Sequence, residues 1–185
     1  ANVYVLIDEA YHHYVGSSAD YASFIDRPVD DDRVIVTRSF STIHGLAGLR
    51  VGYAVAASQT AHTLASQQLS DSVNVVAARA AAAAIDDVEH VRASVSRTED
   101  DRQEFLNQAN ARMLRSIDSL TNFVMLHTGR PTVEVVHHLG KHGILVSGPV
   151  PAFGSYIRVS MGTPAEMREF WRVWDLMPGG HTMVM

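Results

Sequence analysis

Residues 38–53, RSFSTIHGLAGLRVGY, combine hydroxyl, glycine and arginine side chains in a pattern that is typical of an anion-binding loop. Ser39 and Ser41 follow a strand-like run, where their hydroxyl groups and the backbone N–H groups can face a phosphate. Arg50 can add a forked, charge-assisted contact, and the glycines allow the backbone to approach a ligand closely. The spacing is compatible with a phosphate site, but taken alone it is better explained by a serine- and glycine-rich turn whose arginine pairs with an acid.

A second stretch that could do chemistry is the apolar run of residues 3–7, which ends in Asp8 and Glu9. The run is typical of a buried parallel strand, and a carboxylate at its carboxyl end could pair with a protonated ring nitrogen. Tyr11, three residues after Asp8, could donate a hydrogen bond to a phenolic oxygen. Taken alone, each residue is better explained by a strand end that faces solvent.

The elements that must position these residues are strands in the first part of the chain. β-Branched and apolar runs predict strands at residues 3–7, 33–40 and 51–57, with a short helix at 21–25. Because the three strands lie close together in the sequence, we expect them to form a mixed sheet.

Helical periodicity follows in the middle of the chain. Alanine-rich and amphipathic stretches predict helices at residues 61–69, 72–85 and 88–117. The last of these is long enough to bridge two subdomains.

The last third returns to short alternating elements. We expect strands at residues 122–127, 144–146 and 156–161, and helices at 132–139 and 163–176. Thr163, Pro164 and Glu166 form a capping-box signature at the start of the final helix. Strands alternating with helices predict an α/β first half, and a small antiparallel sheet with helices predicts an α+β second half.

Composition excludes several classes of function. The chain has 185 residues and a net charge of -5, which gives no general attraction to nucleic acid or to anionic membranes. It contains no cysteine, so disulfides and thiolate metal sites are excluded. With no long apolar run and no signal-peptide pattern, we expect a cytoplasmic protein. Because the chain opens at Ala1 without an initiator Met, we also expect a fragment.

Three segments together resemble the pyridoxal-phosphate-dependent class I/II aminotransferases, and the histidinol-phosphate aminotransferase branch in particular. They are LIDEAYHHYV at 6–15, SFSTIHGLAGLRVGY at 39–53 and YIRVSMGTP at 156–164. The resemblance implies a partial fold type I transferase. Residues 1–90 would be the C-terminal part of the large cofactor-binding domain. Residues 91–185 would be the small C-terminal domain, with the helix at 88–117 bridging the two.

The resemblance also implies a role for each site residue. Asp8 would pair with the pyridine nitrogen of pyridoxal 5'-phosphate, and Tyr11 would bond the ring oxygen. Ser39, Ser41 and Arg50 would hold the phosphate. Arg158 would bind the α-carboxylate of the amino donor or acceptor in a two-pronged manner, although the residue alone is better explained as an exposed strand arginine.

Thr42 departs from the family pattern, which has a lysine at this position. The lysine links covalently to the aldehyde of the cofactor and then moves the α-proton, whereas a threonine hydroxyl can do neither. Lys141 is the only lysine of the chain and lies far from the motif. His44 could move a proton but cannot hold the aldehyde, and a packed or solvent-facing histidine is the simpler interpretation.

The chain is also about half of a usual family member. The resemblance implies that the missing N-terminal half supplies further phosphate-binding backbone, the aromatic residue that stacks on the ring, and several strands. We therefore expect an impaired or inactive aminotransferase. The alternative is a non-catalytic, dimerising fragment or pseudoenzyme that binds the cofactor weakly or not at all, because a sheet with missing strands favours association.

Histidines raise the question of a metal site. His138 and His142 are four residues apart, and His137 adjoins them, so a helix could present them to zinc. Gly140 is expected to interrupt that helix, and no third ligand follows in a known pattern, so we predict no metal. His12 and His13 belong to the first family motif and are expected to line the mouth of the site.

Overall fold

The computed structural model of the chain describes residues 3–16, 20–148 and 154–178. Contacts between residues divide the chain into two compact units, Ala1–Val95 and Ser96–Met185. None of the helices within the described ranges is long and apolar enough to cross a lipid bilayer.

The first unit contains a three-stranded sheet in the order β1-β2-β3. The strands are β1 Val5–Asp8, β2 Val34–Ser39 and β3 Gly52–Ala56. β1 is parallel to β2, whereas β3 is antiparallel to β2. The mixed sheet predicted from the sequence is therefore confirmed.

β1 is an exposed edge strand, so the prediction of a buried strand was wrong. Val5 and Leu6 are 50% and 66% exposed, because β2 is the only strand that pairs with β1 in the described part of the chain. A short apolar run has the same pattern whether or not other elements cover it, and the sequence alone could not separate the two cases.

Three helices follow β3: α1 Ser58–Ser66, α2 Val75–Asp86 and α3 Val88–Ala111. The Asn74 side chain accepts a hydrogen bond from the backbone N–H of Ala77 at 2.8 Å and so caps the start of α2. α3 ends well before residue 117, where the helix was predicted to end. Met113 adopts a left-handed φ of 57°, which is incompatible with continuing the helix.

An antiparallel sheet forms the centre of the second unit, as predicted. Its strands are β4 Ser116–Ile117, β5 Phe123–His127 and β6 Tyr156–Ser160, in that order. The helices of this unit that follow α3 are α4 Thr132–Lys141 and α5 Pro164–Asp175. The capping box at the start of α5 is confirmed, because Glu166 Oε2 accepts from the Thr163 N–H at 2.7 Å and the Thr163 side chain accepts from the Glu166 N–H.

The core of the second unit lies between this sheet and the helices. Its largest fully buried side chains include Phe105 of α3, Leu126 of β5, Ile157 of β6 and Phe170 of α5. Burying one such side chain stabilises the fold by about 1.5–3 kcal/mol.

Two short elements predicted from the sequence are absent, and the structure gives a reason for each. Residues 21–25 form an irregular turn, because the Ser23 hydroxyl accepts from the Ile25 N–H at 3.0 Å and competes with helical hydrogen bonding. Residues 144–146 do not form a strand. Leu145 is 91% exposed, and pairing is limited to one isolated bridge between Ser147 and Arg158.

Candidate active site

The candidate site lies at one edge of the first sheet. Because β1 and β2 are parallel, their carboxyl ends meet at the same edge, and the antiparallel β3 begins there. Asp8 pairs in register with Thr37, and Ser39 pairs with Gly52. The strand ends therefore bring Asp8, Ser39 and the loop of residues 40–51 to a common edge.

Asp8 is the last residue of β1 at this edge, and Tyr11 follows the strand. Asp8 is exposed, and its Oδ1 accepts a hydrogen bond from the backbone N–H of Ala10 at 3.0 Å, which orients the carboxylate. Tyr11 is half-buried and immediately precedes a 3-10 helix, His12–Val15. Its ring lies 6.1 Å from the ring of Tyr14, so aromatic packing helps to fix its position.

The predicted phosphate ligands lie in the loop between β2 and β3. Ser39 Oγ accepts a hydrogen bond from the backbone N–H of Ser41 at 3.0 Å, which folds the chain back after β2. Arg50 has a left-handed backbone, with φ 55° and ψ 53°, and its Nη1 donates to the Ala47 carbonyl at 2.9 Å. Since the guanidinium group is exposed and carries five N–H donors, it retains donors that can bind an anion.

Thr42 lies next to these donors, but its hydroxyl faces the protein interior. Thr42 Oγ1 is buried and has no hydrogen-bond partner among the described residues. A hydroxyl in that position cannot reach a ligand unless the side chain rotates. The structure thus offers no nucleophile or base at residue 42.

His44 is packed against other rings. Its ring centroid lies 5.0 Å from that of Phe40 and 5.2 Å from that of His13. Its Nδ1 is buried and has no hydrogen-bond partner within the described ranges. Burial, together with the nearby His90, lowers the pKa of His44 below its ordinary value. The interpretation of His44 as a packed residue agrees with this environment.

His12 and His13 extend the same cluster of rings. Their centroids are 5.2 Å apart, and His12 Nδ1 is 3.1 Å from the Tyr21 hydroxyl. Burial and the neighbouring His12, His44 and Arg38 lower the pKa of His13 from 6.5 to about 4. His13 is therefore neutral at physiological pH.

A buried ionic network beneath the site was not evident from the sequence. Glu9 is 5% exposed, and its Oε2 accepts hydrogen bonds from Arg38 Nη2 at 2.9 Å and from Ser23 Oγ at 2.8 Å. Its Oε1 accepts from the Phe24 N–H at 2.8 Å. Burial raises the pKa of Glu9, but the hydrogen bonds and the charge of Arg38 outweigh it and leave the pKa below its usual value. The signal available was an acid that ends one strand and a base within the next, but such residues usually face solvent.

Arg158, the predicted substrate ligand, belongs to the second unit. It lies on β6 opposite Met125 of β5. Its guanidinium group is 4.0 Å from the centre of the Phe123 ring, a cation–π contact that restricts its orientation.

The histidines of α4 make structural contacts. His138 Nε2 is 2.9 Å from the Val173 carbonyl oxygen, and its ring lies 4.6 Å from that of His142. Gly140 lies inside α4, so the predicted interruption of this helix was wrong. Among the described residues, no group of three or more acidic or histidine side chains is arranged to hold a metal ion.

The sequence pattern of the family "Aminotransferase class I and II" matches residues 1–173 of the chain. The chain belongs to this aminotransferase family. The chain is similar to a histidinol-phosphate aminotransferase 2 of Carboxydothermus hydrogenoformans, with 39% identity over 170 residues, or 91% of this chain and 47% of the relative. A histidinol-phosphate aminotransferase of Symbiobacterium thermophilum is 36% identical over 90% of this chain and 45% of the relative.

A solved aminotransferase structure has the same fold. It is the histidinol-phosphate aminotransferase of Sinorhizobium meliloti in complex with pyridoxal-5'-phosphate, with a TM-score of 0.83 and 27% identity. The match covers 93% of this chain and 49% of that one. This chain spans about half the length of the curated relatives it matches. The predicted membership of the class I/II aminotransferases is confirmed, and the α/β fold is part of a fold type I aminotransferase.

Proposed function

We propose that this chain is the C-terminal part of a pyridoxal-phosphate-dependent aminotransferase that, as it stands, binds the cofactor non-covalently and does not catalyse transamination. The reaction class follows from the family, whose pattern matches residues 1–173. The amino donor or acceptor would be an amino acid or an amine resembling histidinol phosphate, as the names of the relatives suggest. The proposed loss of catalysis rests on Thr42, which stands where the resemblance expects the family's lysine, and its hydroxyl is buried.

The residues of the sheet edge suit a non-covalent contact with this cofactor. Asp8 has an oriented, exposed carboxylate for the ring nitrogen, and Tyr11 follows it for the ring oxygen. The hydroxyls of Ser39 and Ser41 and the exposed guanidinium of Arg50 lie on one loop and would bind the phosphate. When bound, pyridoxal phosphate supplies an aldehyde that exchanges amino groups and a ring that accepts electrons.

Residue 42 does not suit the covalent part of the chemistry. A threonine has no amine to join the aldehyde, and Thr42 Oγ1 is turned away from solvent. Burial lowers the pKa of His44, and ring contacts with Phe40 and His13 keep the side chain packed. Without a base near the α-carbon, the general acid–base contribution of about 10²–10⁴-fold is lost.

We extend the proposal to the two domains. Residues 1–90 would be the C-terminal part of the large, cofactor-binding domain, and residues 91–185 the small domain, where Arg158 would bind the substrate carboxylate. The division into compact units between Val95 and Ser96 supports a boundary in this region.

Absorbance titration with pyridoxal phosphate tests the proposal. We expect reversible binding without a stable adduct after borohydride reduction and mass spectrometry. Asp8→Asn and Arg50→Gln should each weaken binding by about 10- to 150-fold, because each removes a charge-assisted contact of about 1.5–3 kcal/mol. Lys141→Arg serves as the background for every measurement, since it removes the only lysine.

Thr42→Lys in that background is the decisive variant. A lysine at residue 42 should form a reducible adduct, whereas Thr42→Ala should form none. An adduct in the Lys141→Arg chain with Thr42 intact would overturn the proposal if peptide mass spectrometry places it away from the terminal α-amine. Affinity that is unchanged by both Asp8→Asn and Arg50→Gln would overturn it as well.

A second candidate function is a non-catalytic module that associates through its sheet. The exposed edge of β1 favours it, because Val5 and Leu6 present apolar side chains beside a row of backbone groups open to pairing. Light scattering over a range of concentrations separates the two candidates. A dimer without affinity for pyridoxal phosphate supports the module, and a monomer that binds the cofactor opposes it.

A further inference from the structure

His90, in the first turn of α3, makes a hydrogen bond to the loop that carries the proposed phosphate ligands. Its Nε2 lies 3.0 Å from the carbonyl oxygen of Ile43. Because a carbonyl oxygen can only accept, Nε2 carries the proton and donates it to this bond. The two residues are 47 positions apart in the sequence, and both belong to the first unit. The bond therefore ties the loop of residues 40–51 to a distant helix of the same unit.

The acceptor of this bond lies in the middle of a closed turn. The Leu46 N–H donates to the Phe40 carbonyl at 3.1 Å, so residues 40–46 fold back on themselves. Ile43, at the centre of the turn, is 3% exposed, and its carbonyl oxygen has little access to water. A buried carbonyl group without a partner costs free energy, and His90 supplies that partner.

The start of α3 holds His90 in place. The His90 N–H donates to Asp87 Oδ1 at 3.0 Å, which caps the first turn of the helix. The Ser94 hydroxyl, one turn later, lies 3.5 Å from His90 Nε2. Burial lowers the pKa of His44, and the charge of His90 adds to this effect, in agreement with a His90 ring that lies close to the loop.

The same turn contains one of the two serines that were predicted to bind the phosphate. Ser41 lies two residues before Ile43, and its N–H donates to Ser39 Oγ at 3.0 Å. The two serines are thus tied to each other, and the bond to the Ile43 carbonyl fixes the chain on the far side of this pair. Arg50 is oriented separately, by its own bond to the Ala47 carbonyl.

We propose that His90 is a positioning residue for the cofactor phosphate. By holding the Ile43 carbonyl, it keeps the hydroxyl groups of Ser39 and Ser41 in the geometry that binds the phosphate. It acts through the loop and not by contact with the cofactor. The inference rests on the proposed function, since it presupposes that pyridoxal phosphate binds at this loop. A loop that is ordered in advance binds more tightly, because the ligand does not have to order it.

Glutamine and asparagine at residue 90 test the proposal. The side-chain N–H of glutamine lies where the histidine Nε2 lies, whereas that of asparagine lies nearer the backbone, in the place of Nδ1. His90→Gln should therefore retain the affinity for pyridoxal phosphate in an absorbance titration. His90→Asn and His90→Ala should each weaken it by about 2- to 10-fold, the equivalent of one neutral hydrogen bond. Because His90 is exposed and alanine favours a helix, His90→Ala neither opens a cavity nor weakens α3.

A second ligand and a second histidine serve as controls. Pyridoxal, which lacks the phosphate, should bind the His90→Ala variant and the unsubstituted chain equally well, because the substitution acts on the phosphate ligands. His62 is an exposed histidine of α1 whose Nδ1 lies 2.9 Å from the Ser58 carbonyl oxygen of the same helix. His62→Ala should leave the affinity for both ligands unchanged.

Amide hydrogen exchange without ligand separates a failure of this inference from a failure of the proposed function. The Leu46 N–H, which closes the turn, should exchange faster in His90→Ala and His90→Asn and at its original rate in His90→Gln. If the unsubstituted chain binds no pyridoxal phosphate, the proposed function fails, whereas the exchange rates still decide whether His90 holds the loop. Identical behaviour of His90→Asn and His90→Gln would overturn the inference, as would a His90→Ala variant that loses affinity for pyridoxal and pyridoxal phosphate alike.

Discussion

Glu9 and Arg38 form a buried ion pair that joins the end of β1 to the end of β2, with Arg38 Nη2 2.9 Å from Glu9 Oε2. Each residue is the sequence neighbour of a proposed cofactor ligand, because Glu9 follows Asp8 and Arg38 precedes Ser39. Consecutive residues of a strand face opposite sides of a sheet. The ion pair therefore lies beneath the sheet edge and fixes the backbone on which the ligands are mounted.

Replacing Glu9 with glutamine should destabilise the first unit. The change leaves Arg38 buried without a compensating charge, which typically costs about 3–5 kcal/mol. Urea unfolding followed by circular dichroism measures the change. Glu89→Gln is the matched control, because its pair with Arg92 is exposed on both sides and should contribute less than about 1 kcal/mol. Equal effects of the two substitutions would contradict the structural role of the Glu9 pair.

Replacing Gly52 of β3 with alanine should displace the paired strand β2 and so distort the candidate site. A Cβ atom at Gly52 would lie 2.8 Å from the backbone carbonyl oxygen of Arg38, so one strand must move. Because Gly52 pairs with Ser39, we expect a lower unfolding free energy together with weaker binding of pyridoxal phosphate.

Gly48→Ala provides the comparison for Gly52. A Cβ atom there meets nothing within 4 Å, and the residue lies in a 3-10 helix, Ala47–Leu49. The unfolding free energy of the Gly48→Ala variant should equal that of the unsubstituted chain or be slightly higher. A Gly52 variant that binds and unfolds like the Gly48 variant would show that the two strands are not packed as described.

Lowering the pH should reduce the stability of the first unit over the range in which histidine is protonated in the unfolded chain but not in the folded one. The pKa of His13 falls from 6.5 to about 4 in the folded chain, so between these values the unfolded state binds more protons. Stability is thus fully present above pH 6.5 and is lost as the pH falls toward 4. His12 and His44 act in the same direction, because burial lowers their pKa values too.

Nuclear magnetic resonance titration of the His13 ring, alongside unfolding at several pH values, checks this prediction. His13→Phe keeps a ring in the cluster and should flatten the dependence of stability on pH between 4 and 6.5. A wild-type His13 that titrates near 6.5 would contradict the buried cluster.

The capping box of α5 should stabilise the second unit. Thr163→Ala removes the side chain that accepts from the Glu166 N–H and should lower the unfolding free energy by about 0.5–2 kcal/mol. Thr63→Ala is the comparison, since Thr63 lies inside α1 and its hydroxyl only bonds the Gln59 carbonyl. Alanine favours a helix interior, so a thermal melt should show a loss for Thr163 alone.

Local patterns in the sequence were sufficient for most elements of the fold. The apolar runs predicted every strand except β4, which falls inside the helix predicted at 88–117. The Thr163-Pro164-Ala165-Glu166 signature predicted the start of α5. Both signals depend on neighbouring residues. The prediction of a helix at residues 21–25 was wrong for a different reason. Ser23 is held by Glu9, which is distant in sequence, and a single sequence does not reveal that contact.

In the candidate site, too, the residues within local motifs were predicted and those fixed by distant contacts were not. Asp8, Ser39, Ser41 and Arg50 were predicted from family motifs, and the strand register brings the ends that carry them to one edge. Glu9 and Arg38 were missed, since a charged residue in a strand usually faces solvent, and only the folded chain shows that each neutralises the other. The cofactor and substrate roles of these residues stay predictions until binding is measured.

The two connections within the first sheet also set an order of events in folding. Residues 40–51 join the antiparallel pair β2 and β3, whereas residues 9–33 join the parallel pair β1 and β2. The second loop is roughly twice as long, which adds about 0.6 kcal/mol to its closure. We expect the hairpin of β2 and β3 to form before β1 docks, so that disrupting the Glu9 contact accelerates unfolding while leaving the rate of hairpin formation unaltered.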